Sequence, residues 1–445
     1  MPPPPSEPLH PLAQALNERL AAASPEVAAL LSQLGRRLYF PRGILTQTAE
    51  ARQRARRFNA TIGIATQGGK PMFLPSVQRH LLGIDPADAV DYAPPAGRPS
   101  LRERWREKLL AENPSLAGKR LGLPIATAAI THGLSLVGDL FVDPGDVVLL
   151  PDKAWDNYPL TFQVRLEAQL ETYPFYAGGG YGVAGLARAL EEQGRRRGKL
   201  VTLLNFPNNP TGYMPTPAEG EAIVDALVGQ ARRGTRILAV FDDAYTGLFY
   251  HLGGRSMTES PFGAAVGRHP NLLAVRLDGA TKELFAWGLR CGFATFGPGS
   301  AETAEVVIEV LDAKARGAIR SSISNVSQLS QSLVESALGS PTLEAERKEK
   351  LEILRERAER AHRAASRPRF RESFEPYPFN SGYFMCVRAL GLEAEPVRQR
   401  LLEERGIGLI AAGGSDLRVA FSCLEVEEIE PLFEALHEVI QELRT

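Results

Sequence analysis

A lysine and an arginine eight residues apart stand out in the segment 277-LDGATKELFAWGLRCGF-293. Lys282 follows the strand-like run LLAVRLD, and Arg290 lies in the short motif GLRCG. The chain has nine lysines and 42 arginines, so a lysine in an apolar segment departs from its usual choice of cation. Lysine can lose its proton and attack a carbonyl carbon, whereas arginine stays charged. Lys282 is therefore a candidate for a chemical role that an arginine could not take.

Two further polar clusters follow strand-like runs earlier in the chain. KLVTLLNFPNNPTG (199–212) ends in a turn, and TRILAVFDDAY (235–245) ends in two carboxylates and a tyrosine. Helical patterns at 185–198 and 217–234 alternate with these runs. Such alternation of helices with near-continuous apolar strands predicts an α/β protein whose mostly parallel sheet is covered by helices on both faces. Ligands bind at the carboxyl ends of the strands in such sheets, where these clusters fall.

Both ends of the chain differ from this pattern. A long charged helix is predicted over 341–366, followed by the strand-like pieces SGYFMCV and DLRVAFS and a closing helix, as in a smaller α+β domain. The first ten residues are proline-rich and predicted to be extended. Residues 11–37 are predicted to be helical, with an interruption at Pro25.

Composition excludes several classes of protein. The net charge of −1 provides no basic excess for binding nucleic acid. Three scattered cysteines do not suit a disulfide framework or a zinc site, no metal-binding motif is found, and a cytoplasmic location is expected. The N-terminus lacks the pattern of a signal peptide, and no apolar run is long enough to span a membrane.

The order and spacing of NNPTGY, FDDAY, TKELFAWGLRCG and LRVAFS closely resemble those of fold-type I pyridoxal phosphate-dependent aminotransferases of class I/II. NATIGIATQGGKPMFLP, YAPPAGRPSLRE and PDKAWDNYPLTF resemble the aspartate/aromatic branch in particular, and the resemblance covers about residues 58–425. It implies a seven-stranded, mostly parallel sheet between helices, and a smaller α+β domain formed by both chain ends. The implied division is an N-terminal segment (1–80), a large pyridoxal phosphate-binding domain (81–325) and a C-terminal small domain (326–445).

The resemblance implies pyridoxal 5′-phosphate as the cofactor. Lys282 matches the lysine that holds the cofactor's aldehyde as a Schiff base and later moves the Cα proton. Asp242 would keep the pyridine nitrogen protonated, and Asp243 is the alternative, although strand alternation points it to the other face. Asn209 and Tyr245 would hydrogen-bond the phenolic oxygen.

Further residues would hold the ring and the phosphate. Trp155 matches the aromatic ring that stacks on the cofactor, and Arg290 matches the arginine that binds the phosphate. Tyr92 would reach the phosphate of the other subunit's cofactor, which implies a homodimer with shared active sites. Backbone donors at a helix start are also needed, and the resemblance indicates these three candidates: Gly133, Leu134 and Ser135.

This region also departs from the branch. His132 and Leu134 stand where the pattern has hydroxyl residues, and Gly279 stands where a phosphate-binding serine is common. The phosphate-binding details are therefore open at these positions, and a structural role is expected for His132.

On the substrate side, Arg418 matches the arginine that binds the α-carboxylate, and Gly63 lies in the segment that closes over the substrate. Arg320 occupies the place of an arginine that meets a distal carboxylate in the partner's site. A structural ion pair is the alternative for Arg320, and Arg316 is a second candidate only four residues away. Aspartate or glutamate would be substrates in the first case, and aromatic amino acids if Arg320 swings out.

These residues predict a transaminase that works by ping-pong chemistry on an L-amino acid and a 2-oxoacid. Two alternatives remain at this stage. The first is another enzyme on the same scaffold, such as a β-lyase or decarboxylase. The second is a non-catalytic cofactor-sensing domain, although residues 1–57 lack a helix-turn-helix signal.

Overall fold

A computed structural model describes residues 9–23, 25, 28, 31, 33–39, 43–81 and 83–445. Most of the proline-rich start, residues 1–8, lies outside the described residues. Helices Pro11–Ala23 and Gln33–Arg37 flank the predicted interruption at Pro25, and most residues between them are likewise outside the description.

The strands are short at both ends of the chain and longer in its middle. In chain order they are β1 Phe58–Asn59, β2 Thr66–Gln67, β3 Lys70–Pro71, β4 Ile125–Thr127, β5 Val147–Pro151, β6 Gln169–Tyr173, β7 Tyr176–Ala177, β8 Gly180–Tyr181, β9 Lys199–Asn205, β10 Arg236–Asp242, β11 Leu272–Gly279, β12 Gly292–Gly297, β13 Phe374–Pro376, β14 Met385–Ala389, β15 Ile407–Gly408, β16 Ile410–Ala411 and β17 Asp416–Val419.

The helices range from single turns to six turns. In chain order they are α1 Pro11–Ala23, α2 Gln33–Arg37, α3 Ile44–Arg54, α4 Pro75–Gln78, α5 Pro86–Val90, α6 Pro99–Glu112, α7 Ala129–Phe141, α8 Val183–Arg196, α9 Pro217–Arg232, α10 Pro261–Ala265, α11 Ala280–Glu283, α12 Ala304–Ser322, α13 Gln328–Leu338, α14 Leu343–Ala365, α15 Ala394–Arg405 and α16 Val426–Glu442. A π-helix covers Pro159–Arg165, and four 3₁₀ turns connect other elements.

Seven strands form the central sheet in the order β4-β12-β11-β10-β9-β5-β6. All of its pairings are parallel except those of β12, which runs antiparallel to β11 and β4. Alternate residues of β10 enter two separate cores: Ile237 and Phe241 pack on one face, and Leu238 and Val240 on the other. Because both faces are buried, these strands read as continuous apolar runs. The predicted α/β fold is confirmed.

A second, four-stranded antiparallel sheet in the order β13-β14-β17-β16 is formed by the C-terminal part of the chain. The N-terminal segment joins this part through the parallel pair β1–β15, in which Phe58 lies opposite Ile407. Ala60 continues this contact, because its amide donates to the carbonyl oxygen of Gly408 and its own carbonyl accepts from Ala420. The segment around β1 is therefore joined to the C-terminal sheet and its helices.

The parallel strands β9, β10 and β11 end at one edge of the large sheet, and α7 begins beside them. The register pairs Asp242, the last residue of β10, with Asn205 of β9 and Leu277 of β11. The polar clusters that follow these strands therefore meet in space. Among the described residues, no helix has the length and apolar character needed to cross a membrane.

Candidate active site

Six of the predicted residues line one cleft at this edge of the sheet. They are Trp155, Asn209, Asp242, Tyr245, Lys282 and Arg290. The cleft contains about 430 Å³ of space between its lining atoms, part of which is open to solvent. The segments that carry these residues are far apart in sequence, so the parallel sheet is what assembles them.

Lys282 lies in the short helix α11, directly after β11. Its Nζ atom is 5.4 Å from the centroid of the Tyr245 ring. Burial lowers the pKa of Lys282 to about 8, Asp242 opposes this shift, and Arg290 contributes to it. A substantial fraction of this amine is therefore neutral near pH 8 and able to act as a nucleophile.

Asp242 faces the cleft from the end of β10 and is held by two donors. The hydroxyl of Tyr158 donates to its Oδ2 at 2.7 Å, and the amide of Ala244 donates to its Oδ1 at 3.2 Å. Burial raises the pKa of Asp242, while these hydrogen bonds and Lys282 act in the opposite direction. The donors thus favour the ionised carboxylate against the effect of burial.

Asp243, the alternative carboxylate, is placed elsewhere. It forms an ion pair with Arg276 at 3.0 Å, and both side chains are 1% exposed. Burial raises the pKa of Asp243 to about 7, against the opposing effect of Arg276. Strand alternation thus directs only the first carboxylate of FDDAY to the cleft.

Tyr158 is a cleft residue that was not among the predicted site residues. It is 1% exposed, and its ring lies edge-on to Trp155 with centroids 5.6 Å apart. Burial raises its pKa well above the usual value, and Asp242 raises it further. The sequence holds one signal for it, because Tyr158 stands only three residues after Trp155 in KAWDNY, and a turn in which the Tyr158 amide donates to the Trp155 carbonyl oxygen at 3.2 Å brings the two together.

Arg290 presents a cation to the same cleft without a carboxylate to pair with. Its side chain is exposed, and its Nη1 atom donates a hydrogen bond to the carbonyl oxygen of Trp287 at 3.4 Å. Its backbone adopts the left-handed region, with φ 51° and ψ 45°, which is uncommon for a residue other than glycine. In the described part of the chain no carboxylate lies within ion-pair distance of it, so an anionic ligand would find it available.

The structure corrects the predicted position of the phosphate-binding backbone. The predicted trio (Gly133, Leu134 and Ser135) lies in the second turn of α7, where amide groups bond within the helix. Leu134 is fully buried in the core, and the hydroxyl of Ser135 accepts from Arg165. The helix begins at Ala129 without a side-chain cap, and Ala129, Ile130 and Thr131 line the cleft. The available N–H groups are therefore those of 129–131.

His132 has a structural contact here. Its Nδ1 atom accepts a hydrogen bond from the amide of Ala128, just before α7, at 3.1 Å. Burial lowers its pKa, which favours the neutral ring that such acceptance requires. The expectation of a structural histidine agrees with this contact.

Gly279 is explained by the close approach of two strands. A Cβ atom at this position would lie 2.6 Å from the Cα of Gly292 and 2.7 Å from the carbonyl oxygen of Cys291. A serine therefore does not fit here without a shift of the backbone. The missing hydroxyl follows from the packing of β11 against β12.

Arg418 is a fully buried cation near the cleft. Its Nη1 atom donates to Oδ1 of Asn209 at 3.0 Å, and its Nη2 atom donates to the carbonyl oxygen of Thr61 at 2.9 Å. Its Nε atom is buried and has no hydrogen-bond partner, and its guanidinium carbon is 4.1 Å from the centroid of the Phe384 ring. Burial lowers its pKa, and no described carboxylate lies within ion-pair distance. A buried cation of this kind favours an anionic ligand.

Gly63 lies beside the same aromatic ring. A Cβ at Gly63 would be 3.8 Å from Cζ of Phe384. The flanking carbonyl oxygens of Ile62 and Ile64 both accept from Sγ of Cys423 at 3.2 Å. The segment is thus anchored to the C-terminal unit that carries Arg418.

Two further predicted residues, Tyr92 and Arg320, do not line this cleft either. Tyr92 is 84% exposed. Arg320 is exposed at the end of α12, where its Nη1 atom donates to Oγ of Ser324, while Arg316 pairs with Asp312 at 2.8 Å. Within the described chain Arg320 has no carboxylate partner, so Arg316 is the one of the two that forms a structural ion pair.

A lysine with a lowered pKa, a buried carboxylate and an unpaired arginine beside a helix start define the class of site. These groups suit an aldehyde cofactor that carries a protonatable ring and a phosphate, as in fold-type I pyridoxal phosphate enzymes. The uncapped start of α7 and Arg290, which has no carboxylate partner among the described residues, could bind a phosphate, so the residues present fit pyridoxal 5′-phosphate.

Comparison with known proteins identifies the family. The model of the aminotransferase class I and II family matches residues 84–436, and the chain belongs to this family, whose members use pyridoxal 5′-phosphate. The predicted family is confirmed.

Individual relatives support the same family. A probable aspartate/prephenate aminotransferase of Aquifex aeolicus is 32% identical over 36% of this chain and 38% of its own length. An aspartate/prephenate aminotransferase of Thermus thermophilus is 33% identical over 46% of this chain and 48% of its own length. The chain thus matches less than half of the length of these relatives. An aminotransferase structure from Anaerococcus prevotii superposes with a TM-score of 0.79 at 23% identity, covering 92% of this chain and 98% of that one.

Proposed function

We propose that this chain is a pyridoxal phosphate-dependent transaminase that moves an amino group between an L-amino acid and a 2-oxoacid. The observation that carries the proposal is that Lys282, Asp242 and Arg290 line one cleft, and that Arg290 has no carboxylate partner among the described residues. Arg418, a buried cation without a carboxylate partner in the described part of the chain, supports an amino-acid substrate, because it can bind the α-carboxylate.

When bound, pyridoxal 5′-phosphate supplies a carbonyl carbon that accepts amines and a ring that withdraws electrons from the substrate's Cα. Asp242 would hold the proton on the ring nitrogen, and Tyr158 would keep this carboxylate ionised and oriented. Arg290 and the amides of 129–131 would hold the phosphate. Trp155 would cover one face of the ring, and Tyr245 and Asn209 would donate to its phenolic oxygen.

Lys282 is the base in this proposal. Its neutral amine would take the proton from Cα of the substrate and deliver it to the carbon that was the cofactor's aldehyde carbon. The amino group would thereby pass from the substrate to the cofactor. Arg418 would fix the α-carboxylate so that the Cα–H bond faces Lys282. Asn209 connects the two ends of this arrangement, because it contacts both the cleft and Arg418.

The substrates remain part of the proposal. Two relatives are named aspartate/prephenate aminotransferases, which supports a dicarboxylic amino acid and an aromatic-type 2-oxoacid. Arg320, exposed and without a carboxylate partner in the described chain, would meet the distal carboxylate in the partner's site. For aromatic substrates it would turn away.

We also propose a cytoplasmic homodimer with shared active sites. Several large apolar side chains are exposed near the predicted contact residue Tyr92 or on α12: Val90, Val306 and Val310. An apolar surface of this kind on a soluble chain favours association. The proposed domains are the N-terminal segment (1–80), the large domain (81–325) and the C-terminal small domain (326–445).

The test is a half-reaction screen with purified protein. Amino acids are added singly, without an oxoacid, and the visible absorbance of the bound cofactor is followed. The transaminase is expected to lose this absorbance with its donor and to recover it with a 2-oxoacid. Ammonia or carbon dioxide released without an acceptor would instead identify a lyase or a decarboxylase.

Replacement of the lysine provides the sharper test. Lys282→Ala is expected to lose turnover by several orders of magnitude, because both the nucleophile and the base are removed. Lys199→Ala, at a partly buried lysine paired with Asp146, is the control and is expected to keep activity. Full activity of Lys282→Ala would exclude the proposal.

A further inference from the structure

The residue after the cleft lysine belongs to a buried cluster of charges. Glu283 follows Lys282 in α11, and its side chain is 5% exposed. Lys282 lines the cleft, whereas Glu283 contacts α6 and α14. Within this short helix, Lys282 therefore lines the cleft while Glu283, the next residue, lies in the interior of the protein.

Both oxygens of the Glu283 carboxylate are held by cations. Nζ of Lys108 lies 2.7 Å from Oε1 and 2.9 Å from Oε2, and Nη2 of Arg347 donates to Oε1 at 2.5 Å. Glu112 completes the cluster with Lys108 at 2.5 Å and Arg347 at 3.5 Å. Burial raises the pKa of Glu283, and the two cations oppose this shift.

The two cations come from different parts of the fold. Lys108 belongs to α6, in the large unit, and its Nζ lies 5.0 Å from the centroid of the Trp105 ring. Arg347 belongs to α14, which packs against the C-terminal helix α16. Glu283 therefore connects the lysine-bearing turn to both units, in addition to the hydrogen bond that the Tyr383 hydroxyl donates to the carbonyl oxygen of Lys282 at 3.0 Å.

The loop that carries Tyr245 contacts the same cluster. A Cβ atom at Gly247, whose φ is +86°, would lie 3.2 Å from Nη2 of Arg347 and 3.2 Å from Oε1 of Glu283. The loop after β10 and the turn after β11 thus share one support. A displacement of Arg347 would disturb both of them.

Stability alone does not account for such a cluster. Buried ion pairs contribute little net stability compared with apolar residues of similar volume, because desolvation offsets their attraction. They do fix geometry, since a buried carboxylate without its partner is unfavourable and each partner limits where the carboxylate can lie.

We propose that Glu283, clamped by Lys108 and Arg347, is a positioning residue that fixes the direction of Lys282 and couples it to helix α14. The proposal rests on the proposed function, in which Lys282 carries the cofactor. Glu283 acts through the backbone of α11 and touches neither cofactor nor substrate. Movement of the C-terminal unit would reach Lys282 through Arg347.

The experiment compares Arg347→Met and Glu283→Gln with the wild-type holoenzyme. Both variants are expected to lose kcat by about tenfold to a hundredfold, because the reacting amine is no longer held in place. KM for the amino acid is expected to change little, since Arg418 and its contacts are untouched. The visible circular dichroism of the bound cofactor, which reports its fixed orientation, is expected to weaken in both.

Arg398→Met is the matched control. Arg398 is 3% exposed and pairs with Glu395 at 2.7 Å and Glu50 at 2.9 Å, in a part of the small unit outside the Glu283 cluster. It is expected to lower the melting temperature without changing the visible circular dichroism or kcat. An equal loss of kcat in Arg398→Met would show a general effect of destabilisation and overturn the proposal.

The proposal is also overturned if Arg347→Met keeps wild-type kcat and circular dichroism. Should Arg347→Met not fold, the nearly isosteric Glu283→Gln decides by the same readouts. A wild-type protein without cofactor absorbance, or an active Lys282→Ala, would instead contradict the proposed function itself. The two failures are thus distinguishable.

Discussion

At the scale of single residues, the cleft contains cations that differ in whether they can lose a proton. Lys282 is half-buried, and desolvation lowers its pKa to about 8, so its neutral form is accessible under mild conditions. An arginine side chain does not lose its proton in proteins, and neither Arg290 nor Arg418 has a carboxylate partner among the described residues. A nucleophile must be able to lose its proton, whereas a side chain that binds phosphate or carboxylate must keep its positive charge.

Capture of the cofactor should depend on the titration of Lys282. With cofactor-free protein, the rate of capture is expected to rise with pH up to about 8 and then level off, because only the neutral amine attacks the aldehyde. Because burial lowers the pKa of Lys282, the rate should level off at a lower pH than it would for an exposed lysine. Stopped-flow absorbance after mixing with pyridoxal 5′-phosphate measures it. A rate that keeps rising to pH 10 would contradict the lowered pKa.

Tyr158 should control the acid side of the pH profile. Tyr158→Phe removes the donor to Oδ2 of Asp242, so the pKa of this carboxyl should rise further above its usual value. Activity that requires ionised Asp242 is lost as the pH falls through this pKa, and the acid limb of kcat/KM should move up by about one pH unit. Tyr181→Phe, which loses a buried hydrogen bond to Tyr173, is the control and should leave the limb unchanged.

At the scale of elements, the close approach of β11 to β12 limits which residue fits at position 279, three residues before Lys282. These strands are antiparallel and pair Gly279 with Gly292, so two glycines face each other at the end of the sheet. The close approach positions α11 next to the start of α7. A hydroxyl residue at 279 would disturb this geometry.

Gly279→Ser should therefore destabilise the fold. We expect a loss of about 1–3 kcal/mol in the free energy of unfolding, because the added atoms meet backbone atoms and cannot be relieved by a side-chain rotation. Urea denaturation measures it. Gly229→Ala is the control: nothing lies within 4 Å of its Cβ position in α9, so a stability gain of about 0.5–1 kcal/mol is expected. Wild-type stability of Gly279→Ser would show that the strands separate readily.

At the scale of the whole molecule, helix α12 presents exposed apolar side chains. Val306 is 65% exposed and Val310 is 45% exposed, and their spacing of four residues places them on one side of the helix. The other side of α12 buries Ala315 and Ile319 in the core. The proposed homodimer would cover the exposed face.

Charges on this face should separate the subunits. Val306→Glu combined with Val310→Glu is expected to convert a dimer into a monomer, because two carboxylates would be desolvated at the interface. Sedimentation equilibrium measures the mass. Arg195→Glu, on α8 at the opposite face of the sheet, is the control and should remain dimeric. A dimer that tolerates both α12 substitutions would place the interface elsewhere.

The sequence by itself determined the α/β class, the position of the polar clusters at the carboxyl ends of the strands and the choice of Asp242 over Asp243. These features depend on periodicity and alternation within single segments, which local sequence specifies. Only the tertiary structure decided that Tyr158 holds Asp242 across 84 residues, that α7 begins at Ala129 rather than near Gly133, and that Glu283 meets Lys108 and Arg347. Such contacts join distant segments, and packing of the whole chain sets their distances.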